Sequence, residues 1–148
     1  IPMAKGFMYL TAIIDVYSRF VVGWGLSNTL DADASIKVLK EAIDKYGKPE
    51  IVNSDQGCQF TCQKWITLLK DNGIRISMDG KGRALDNISI ERLWRTVKRD
   101  YVYLNPADNG RELYTGLKHF FEEYNYRKYH QGIGRRIPHD LFSNKLAA

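Results

Sequence analysis

Two apolar segments near the start of the chain, separated by a few polar residues, place the strongest constraint on the fold. Residues Phe7 to Ile14 are almost continuously apolar, and residues Phe20 to Leu26 are again rich in Val, Trp and Phe. The intervening Asp15, Ser18 and Arg19 are typical of a turn. We therefore predict two adjacent core strands joined by a tight turn.

The rest of the chain alternates between helical and strand patterns. Apolar residues recur at helical spacing from Asp31 to Tyr46, and Gly47 ends that helix. The segments predicted after it are, in chain order, strand Glu50 to Asn53, helix Thr61 to Asp71, strand Ile74 to Ser77, helix Asn87 to Tyr101 and helix Gly110 to Tyr126. Strands first, then strands alternating with helices, predict an α/β fold with a mixed central sheet flanked by helices.

Length and charge narrow the class of protein. A chain of 148 residues, 44% of them hydrophobic, is expected to form one domain over residues 1–148. The net charge of +5 modestly favours a polyanionic partner. Cys58 and Cys62 lack a second Cys or His pair that would complete a zinc site, so we expect free or buried thiols. No apolar run approaches the roughly 20 residues that cross a membrane, and we expect a cytoplasmic protein.

Asp55 is the first candidate metal ligand. It follows a predicted strand and precedes Gly57 by two residues, and α/β sheets place functional loops at the carboxyl ends of their strands. An aspartate that only shapes the turn has the same sequence signature. The residues alone leave both interpretations open.

Glu91 is the second candidate. At about 100° per residue it shares a helix face with Arg95 and Lys98, which are placed to contact a phosphate backbone. The alternative is an ion pair between Glu91 and Arg95 on a solvated helix. The opposite side of this helix carries an apolar stripe, formed by Ile90, Leu93, Trp94, Val97 and Tyr101.

Several motifs, taken together, resemble a known family. Asp55 and Glu91 are separated by 35 residues, and Glu91 is followed seven positions later by Lys98. The accompanying residues are Asn53-Ser54-Asp55-Gln56-Gly57, Ser77-Met78, Gly82, Asp86-Asn87, and a closing run from Tyr124 to Gln131 with Pro138. This set resembles the catalytic core of bacterial DDE transposases of the insertion-sequence-three family, within the retroviral integrase superfamily.

The resemblance implies a ribonuclease-H-like fold in which three carboxylates hold two divalent ions, Mg²⁺ or Mn²⁺. It identifies Asp55 and Glu91 as two of the three, with Gln56 and Asn87 ordering the ligands or serving as turn and cap residues. The implied reaction is polynucleotidyl transfer, in which element ends are cleaved and their 3′-hydroxyls are joined to target DNA. We expect DNA contacts from the cations Lys81, Arg83, Arg95 and Lys98, whereas Arg92 and Arg99 equally fit a solvated helix face.

The first carboxylate of the family is implied to lie just upstream of Ile1, so this chain is expected to lack the start of its first strand. Asp15 is a weaker candidate for a metal ligand. The resemblance places it on the second strand of the family's fold, where we expect it to brace a turn. With two carboxylates the 148 residues are expected to be inactive or nearly so.

The sequence leaves two alternative functions open, and three further expectations concern the partners and location of the protein. A metal-dependent nuclease of the same fold would stop at hydrolysis, and a degenerate remnant would bind DNA or a sibling subunit without catalysis. The resemblance also implies a homo-oligomer acting on paired DNA ends, an upstream helix-turn-helix region and a nucleoid-associated location.

Overall fold

The computed structural model describes residues 1–4, 6–78 and 88–147. Strands β1 (Tyr9–Ile14) and β2 (Val21–Ser27) pair antiparallel, with Tyr9 opposite Ser27. Strands β3 (Ile51–Ser54) and β4 (Arg75–Met78) pair in parallel. The predicted mixture of parallel and antiparallel strand pairs is present. Within the described residues, the hydrogen-bonded ladders form two sheets of two strands each.

Six α-helices accompany these strands in the described part of the chain. They are α1 (Ala32–Tyr46), α2 (Cys58–Thr61), α3 (Gln63–Asp71), α4 (Ile88–Val97), α5 (Gly110–Tyr126) and α6 (Pro138–Ala147). A π-helical turn (Lys98–Val102) continues α4, and a short 3-10 helix (Gln131–Ile133) precedes α6. Within the described residues, no helix is both long and apolar enough to cross a membrane.

Most predicted helices are confirmed, with three differences. The helix predicted from Thr61 to Asp71 is α3, which begins at Gln63, and a short helix that was not predicted, α2, ends at Thr61 before the extended residue Cys62. The helix predicted to reach Tyr101 changes from α to π geometry at Lys98, where the Tyr103 N–H donates to the Lys98 carbonyl at 3.0 Å. Helix α6 was not predicted, although it begins with a proline, which suits the first position of a helix.

The hydrophobic core lies in two clusters that helices cover from different sides. One joins β1 and β2 to α4 and α5 and is centred on Leu93, Leu117 and Phe121. The other joins β3 and β4 to α1 and α3 and is centred on Leu39 and Leu69. Because successive side chains of a strand point to opposite faces, β1 contributes to both clusters, with Leu10, Ala12 and Ile14 in the first and Ile13 in the second.

The turn between β1 and β2 is held by residues from the far end of the chain. Phe20 is 1% exposed and stacks on Phe142 of α6, with ring centroids 4.7 Å apart. The Asp15 carboxylate accepts hydrogen bonds from the Ser18 N–H at 2.9 Å and from Lys145 Nζ at 2.6 Å. The predicted turn-bracing role of Asp15 is therefore confirmed, and α6 completes that turn.

Asn125, from the closing motif, fixes α5 against the sheet. Its Oδ1 accepts a hydrogen bond from the Val21 N–H at 2.8 Å, and its Nδ2 donates to the Val21 carbonyl at 3.0 Å. The side chain thus imitates a neighbouring strand, and it is buried where unpaired backbone groups would be costly. This part of the motif is structural.

Candidate active site

Asp55 lies on the loop that follows β3, with its side chain exposed. Its Oδ1 accepts a hydrogen bond from the Gly57 N–H at 2.8 Å, which orients the carboxylate. A Cβ at position 57 would lie 2.9 Å from that oxygen and 2.7 Å from Gln59 Oε1. Glycine at this position therefore leaves room for the carboxylate to sit close to the backbone.

The base of this loop is fixed by a contact between the two parallel strands. Asn53 is opposite Ser77 in the register, and Ser77 Oγ donates to Asn53 Oδ1 at 2.9 Å. Both residues belong to the motif set, and their contact holds the carboxyl ends of β3 and β4 together. The loop bearing Asp55 starts one residue beyond the buried Ser54.

Glu91 lies in the first turn of α4 and is exposed. The helix turns its apolar stripe inward as predicted, with Leu93 and Val97 each 1% exposed. In the described part of the chain no ion pair joins Glu91 to Arg95, so the alternative interpretation of a surface pair is not realised. The Glu91 carboxylate faces solvent at the end of the helix where negative charge is stabilised.

Two of the predicted DNA-contacting cations, Arg95 on α4 and Lys98 in the π-helical turn that continues it, lie on the same helix face as Glu91. Arg95 and Lys98 are both exposed and follow Glu91 at one-turn intervals. Lys98 also lines a shallow groove with Trp94 and the aromatic Tyr9. Glu91, Arg95 and Lys98 are therefore brought together on one face, as predicted.

The remaining predicted site residues divide into two groups. Gln56 is exposed beside Asp55. Lys81, Arg83 and Asn87 lie outside the described residues.

The described carboxylates have the chemistry that a hard divalent cation requires. Mg²⁺ is commonly held through one or two carboxylates while it keeps several waters, and Asp55 and Glu91 offer exposed oxygens of that kind. Within residues 1–4, 6–78 and 88–147, no three His, Cys, Asp or Glu side chains converge as a metal-binding group. The two carboxylates therefore fit a metal but are not joined by a third in the described residues.

From the sequence, Arg19 was expected only to form part of a turn. In the structure its side chain also has a buried nitrogen without a hydrogen-bond partner among the described residues. Arg19 has a positive φ of 64°, and its Nε is buried without a hydrogen-bond partner in the described part of the chain. The sequence predicted a tight turn here. The sequence carried no signal of the unpartnered Nε, because that depends on packing against a distant loop.

Comparison with known proteins places the chain in a family. Residues 1–84 match a family model described as Integrase core domain, and residues 72–138 match a second model of the same description. The transposase for insertion sequence element IS904 of Lactococcus lactis subsp. lactis (strain IL1403) is 31% identical over 147 residues, which cover 95% of this chain and 57% of that protein. The putative transposase InsK for insertion sequence element IS150 of Escherichia coli (strain K12) is 32% identical over 123 residues, covering 82% of this chain and 44% of that protein.

The chain spans about half the length of these curated relatives. Among solved structures, the catalytic core domain of HTLV-2 integrase in complex with magnesium, in its dimeric form, has a TM-score of 0.75 at 17% identity, over 96% of this chain and 89% of that one. That likeness confirms the ribonuclease-H-like fold. The chain belongs to the integrase core domain family, and the resemblance to transposases of bacterial insertion sequences is confirmed.

Proposed function

We propose that this chain is the catalytic core of a DDE transposase, which cleaves the ends of a DNA element and joins the exposed 3′-hydroxyls to target DNA. The observation that carries the proposal is the pair of exposed carboxylates, Asp55 and Glu91, in a chain of the integrase core domain family. The names of the relatives, which are transposases of insertion sequences, support the same activity.

Asp55 and Glu91 are proposed to hold Mg²⁺ or Mn²⁺, with two ions in a complete site. Such ions lower the pKa of a bound attacking water or hydroxyl and stabilise the leaving oxygen during in-line displacement at phosphorus. Support comes from the donor chemistry and from the magnesium in the solved HTLV-2 core. The Gly57 N–H, by binding one Asp55 oxygen, would keep the carboxylate in a fixed orientation.

Arg95 on α4 and Lys98 in the π-helical turn after it are proposed to position the DNA. Both follow Glu91 along one exposed helix face, so a strand bound along it would bring a phosphate to Glu91. Correct placement of the reacting groups contributes strongly to such reactions. Lys81 and Arg83 are proposed to add contacts, and Gln56 and Asn87 to support the ligands.

The partners of the whole protein are also part of the proposal. DNA ends and target DNA are the proposed substrates, and a homo-oligomer is the proposed active form. The solved HTLV-2 core in its dimeric form supports the second point. An upstream helix-turn-helix region and a location at the bacterial nucleoid complete the proposal.

Strand transfer with a Glu91→Gln substitution tests the function. The chain is joined to the aspartate-bearing strand that the resemblance implies before Ile1, and is given Mn²⁺ and DNA that carries the element's ends. We expect Glu91→Gln to abolish joined products, while Glu41→Gln, on the exposed side of α1, retains them. Joined products at the normal level in Glu91→Gln would contradict the assignment, and cleavage without joining in the unsubstituted protein would favour a nuclease.

A further inference from the structure

A shallow basic pocket lies beside α4, on a different helix face from Glu91, Arg95 and Lys98. Its walls include Arg19 from the first turn, Arg92 and Thr96 from α4, and Lys128 and His130 from the closing motif. Arg92 directly follows Glu91, so the pocket begins one residue, or about 100°, around the helix from the candidate metal ligand. Three permanent cations therefore converge close to the candidate active site.

Arg19 is the residue that most needs a ligand. Its Nε is buried and lacks a hydrogen-bond partner within the described residues. A guanidinium has five N–H donors and no acceptor, so a buried unpaired donor is costly unless an anion or water accepts from it. The backbone of Arg19 is held at a positive φ of 64°, with its N–H donating to the Asp15 carbonyl at 2.7 Å. The chain thus holds an unfavourable conformation at the residue whose side chain enters the pocket.

Residues of the closing run and the loop after it line the pocket across from Arg19. A Cβ at Gly132, the residue after the closing run, would lie 3.4 Å from one terminal nitrogen of Arg19, so the guanidinium lies within van der Waals reach of this loop. Nε2 of His130 lies 3.1 Å from the Tyr124 carbonyl and must donate to it, because a carbonyl oxygen only accepts. Burial lowers the pKa of His130, the hydrogen bond to the Tyr124 carbonyl partly opposes this shift, and the nearby Lys128 and Arg19 charges lower the pKa further. His130 therefore forms part of the pocket lining, and the positive charges of the pocket come from Arg19, Arg92 and Lys128.

The three cations of the pocket, Arg19, Arg92 and Lys128, differ in whether an acidic side chain already pairs with them. Lys128 Nζ lies 3.4 Å from Asp100 Oδ2, and Arg99 Nε donates to Oδ1 of the same carboxylate at 2.9 Å, so part of the Lys128 charge is balanced. Among the described residues neither Arg19 nor Arg92 forms an ion pair. Two guanidinium groups with unused donors favour an oxyanion over a neutral ligand.

We propose that Arg19 and Arg92, assisted by Lys128, bind a backbone phosphate of DNA that crosses α4 beside the active site. The inference rests on the proposed function, because the adjacent Glu91 is what makes a DNA strand the expected anion at this place. Arginine forks match the geometry of phosphate oxygens, and phosphate contacts fix the register of a protein on DNA without reading its sequence.

Duplex binding by the 148-residue chain tests the inference without any catalytic step. Anisotropy of a fluorescent DNA duplex is measured in EDTA at several salt concentrations for the unsubstituted chain, Arg19→Gln, Arg92→Gln and the control Arg111→Gln. Arg111 is an exposed cation at the opposite end of α5 from Tyr124, about 20 Å away along the helix axis. Arg92 lies on an exposed helix surface, so Arg92→Gln is expected to fold. It therefore still tests the pocket if Arg19→Gln fails to fold.

The proposal expects each pocket substitution to weaken binding about tenfold and to reduce the slope of log affinity against log salt by about 1. Losses no greater than that of Arg111→Gln, or no duplex binding at low salt, overturn it. So does a change in self-association without DNA, measured by sedimentation, because the pocket would then hold an acidic surface of a second copy. If the pocket variants behave like the control while Glu91→Gln alone abolishes joined products, the inference fails and the proposed function stands.

Discussion

Asp15 and Asp55 occupy equivalent places in the chain, because each directly follows the last residue of a strand, yet their surroundings differ. The Asp15 side chain is 14% exposed and accepts from Ser18 N–H, Ser18 Oγ and Lys145 Nζ. Asp55 is exposed and accepts from the Gly57 N–H of its own turn. The carboxylate that protein donors surround braces a turn, and the one left open to solvent is suited to an external cation. The two aspartates therefore differ in their hydrogen-bond donors, and not in their position at the end of a strand.

The largest expected effect comes from removing the charge of the open carboxylate. In the extended protein described for Glu91→Gln, Asp55→Asn should reduce strand transfer more than about 100-fold, since losing even an outer partner of a metal ligand typically costs 10–100-fold. Its melting temperature should stay close to that of the unsubstituted chain, because the side chain is exposed. Joining assays together with thermal unfolding measure both quantities.

Asp15 supplies the matched comparison for Asp55→Asn. Asp15→Asn in the same protein should retain strand transfer within a few-fold while lowering the melting temperature. If Asp15→Asn abolished joining in a folded protein, the distinction between the two aspartates would be wrong.

A smaller effect is expected for the stability of the turn. Asp15→Ala should lower the free energy of unfolding by about 2 kcal/mol, because the Ser18 N–H and hydroxyl lose a charged acceptor. The Lys145 side chain is 48% exposed, so its pair with Asp15 contributes little to that figure. Urea unfolding measures the change. A destabilisation as large for Asp55→Ala would remove the contrast between the two sites.

The smallest effect concerns acid. Burial by itself would raise the pKa of the Asp15 carboxyl, but hydrogen bonds from Lys145 and Ser18 outweigh it and the pKa is lowered from 3.8. The unfolded chain therefore takes up this proton first, and the stabilisation is complete above pH 3.8 and is lost as the pH falls through the folded pKa. The unfolding free energies of the unsubstituted chain and Asp15→Asn should begin to converge as the pH falls from about 6 through 3.8. A constant difference across that range would contradict the pairing.

Periodicity in the sequence predicted the elements whose stability is local. Helix α5 was predicted from Gly110 to Tyr126 and has those bounds, and α1 was predicted from Asp31, which caps it by accepting from the Ala34 N–H. The hairpin of β1 and β2 followed from two apolar runs and a polar turn. In each case neighbouring residues contain the information that decides the structure.

The differences arose where distant residues decide. Helix α6 forms with Phe142 against Phe20, a contact between opposite ends of the chain that no local pattern indicates. The π-helical turn after Val97 depends on how the end of α4 packs, including the buried Val102. These features are set by packing, which single-sequence patterns do not contain.

The candidate site shows the same division. Residue types, the spacing of Asp55 and Glu91 and their neighbours predicted the site, and the helix phase of Glu91, Arg95 and Lys98 is as predicted. The partners of each carboxylate were not predictable, because Lys145 reaches Asp15 from 130 residues away. The basic pocket at Arg19 was missed for that reason too.

The most direct test of the account is where a divalent cation binds. Trace Mn²⁺ broadens the amide NMR signals of residues near it, so it reports weak sites in the 148-residue chain without any need for activity. We expect broadening around Asp55 and Glu91, reduced by either Asp55→Asn or Glu91→Gln and unchanged by Asp15→Asn. Broadening centred on Asp15, or signals near Glu91 that keep their broadening in Asp55→Asn, would contradict a shared metal site formed by Asp55 and Glu91.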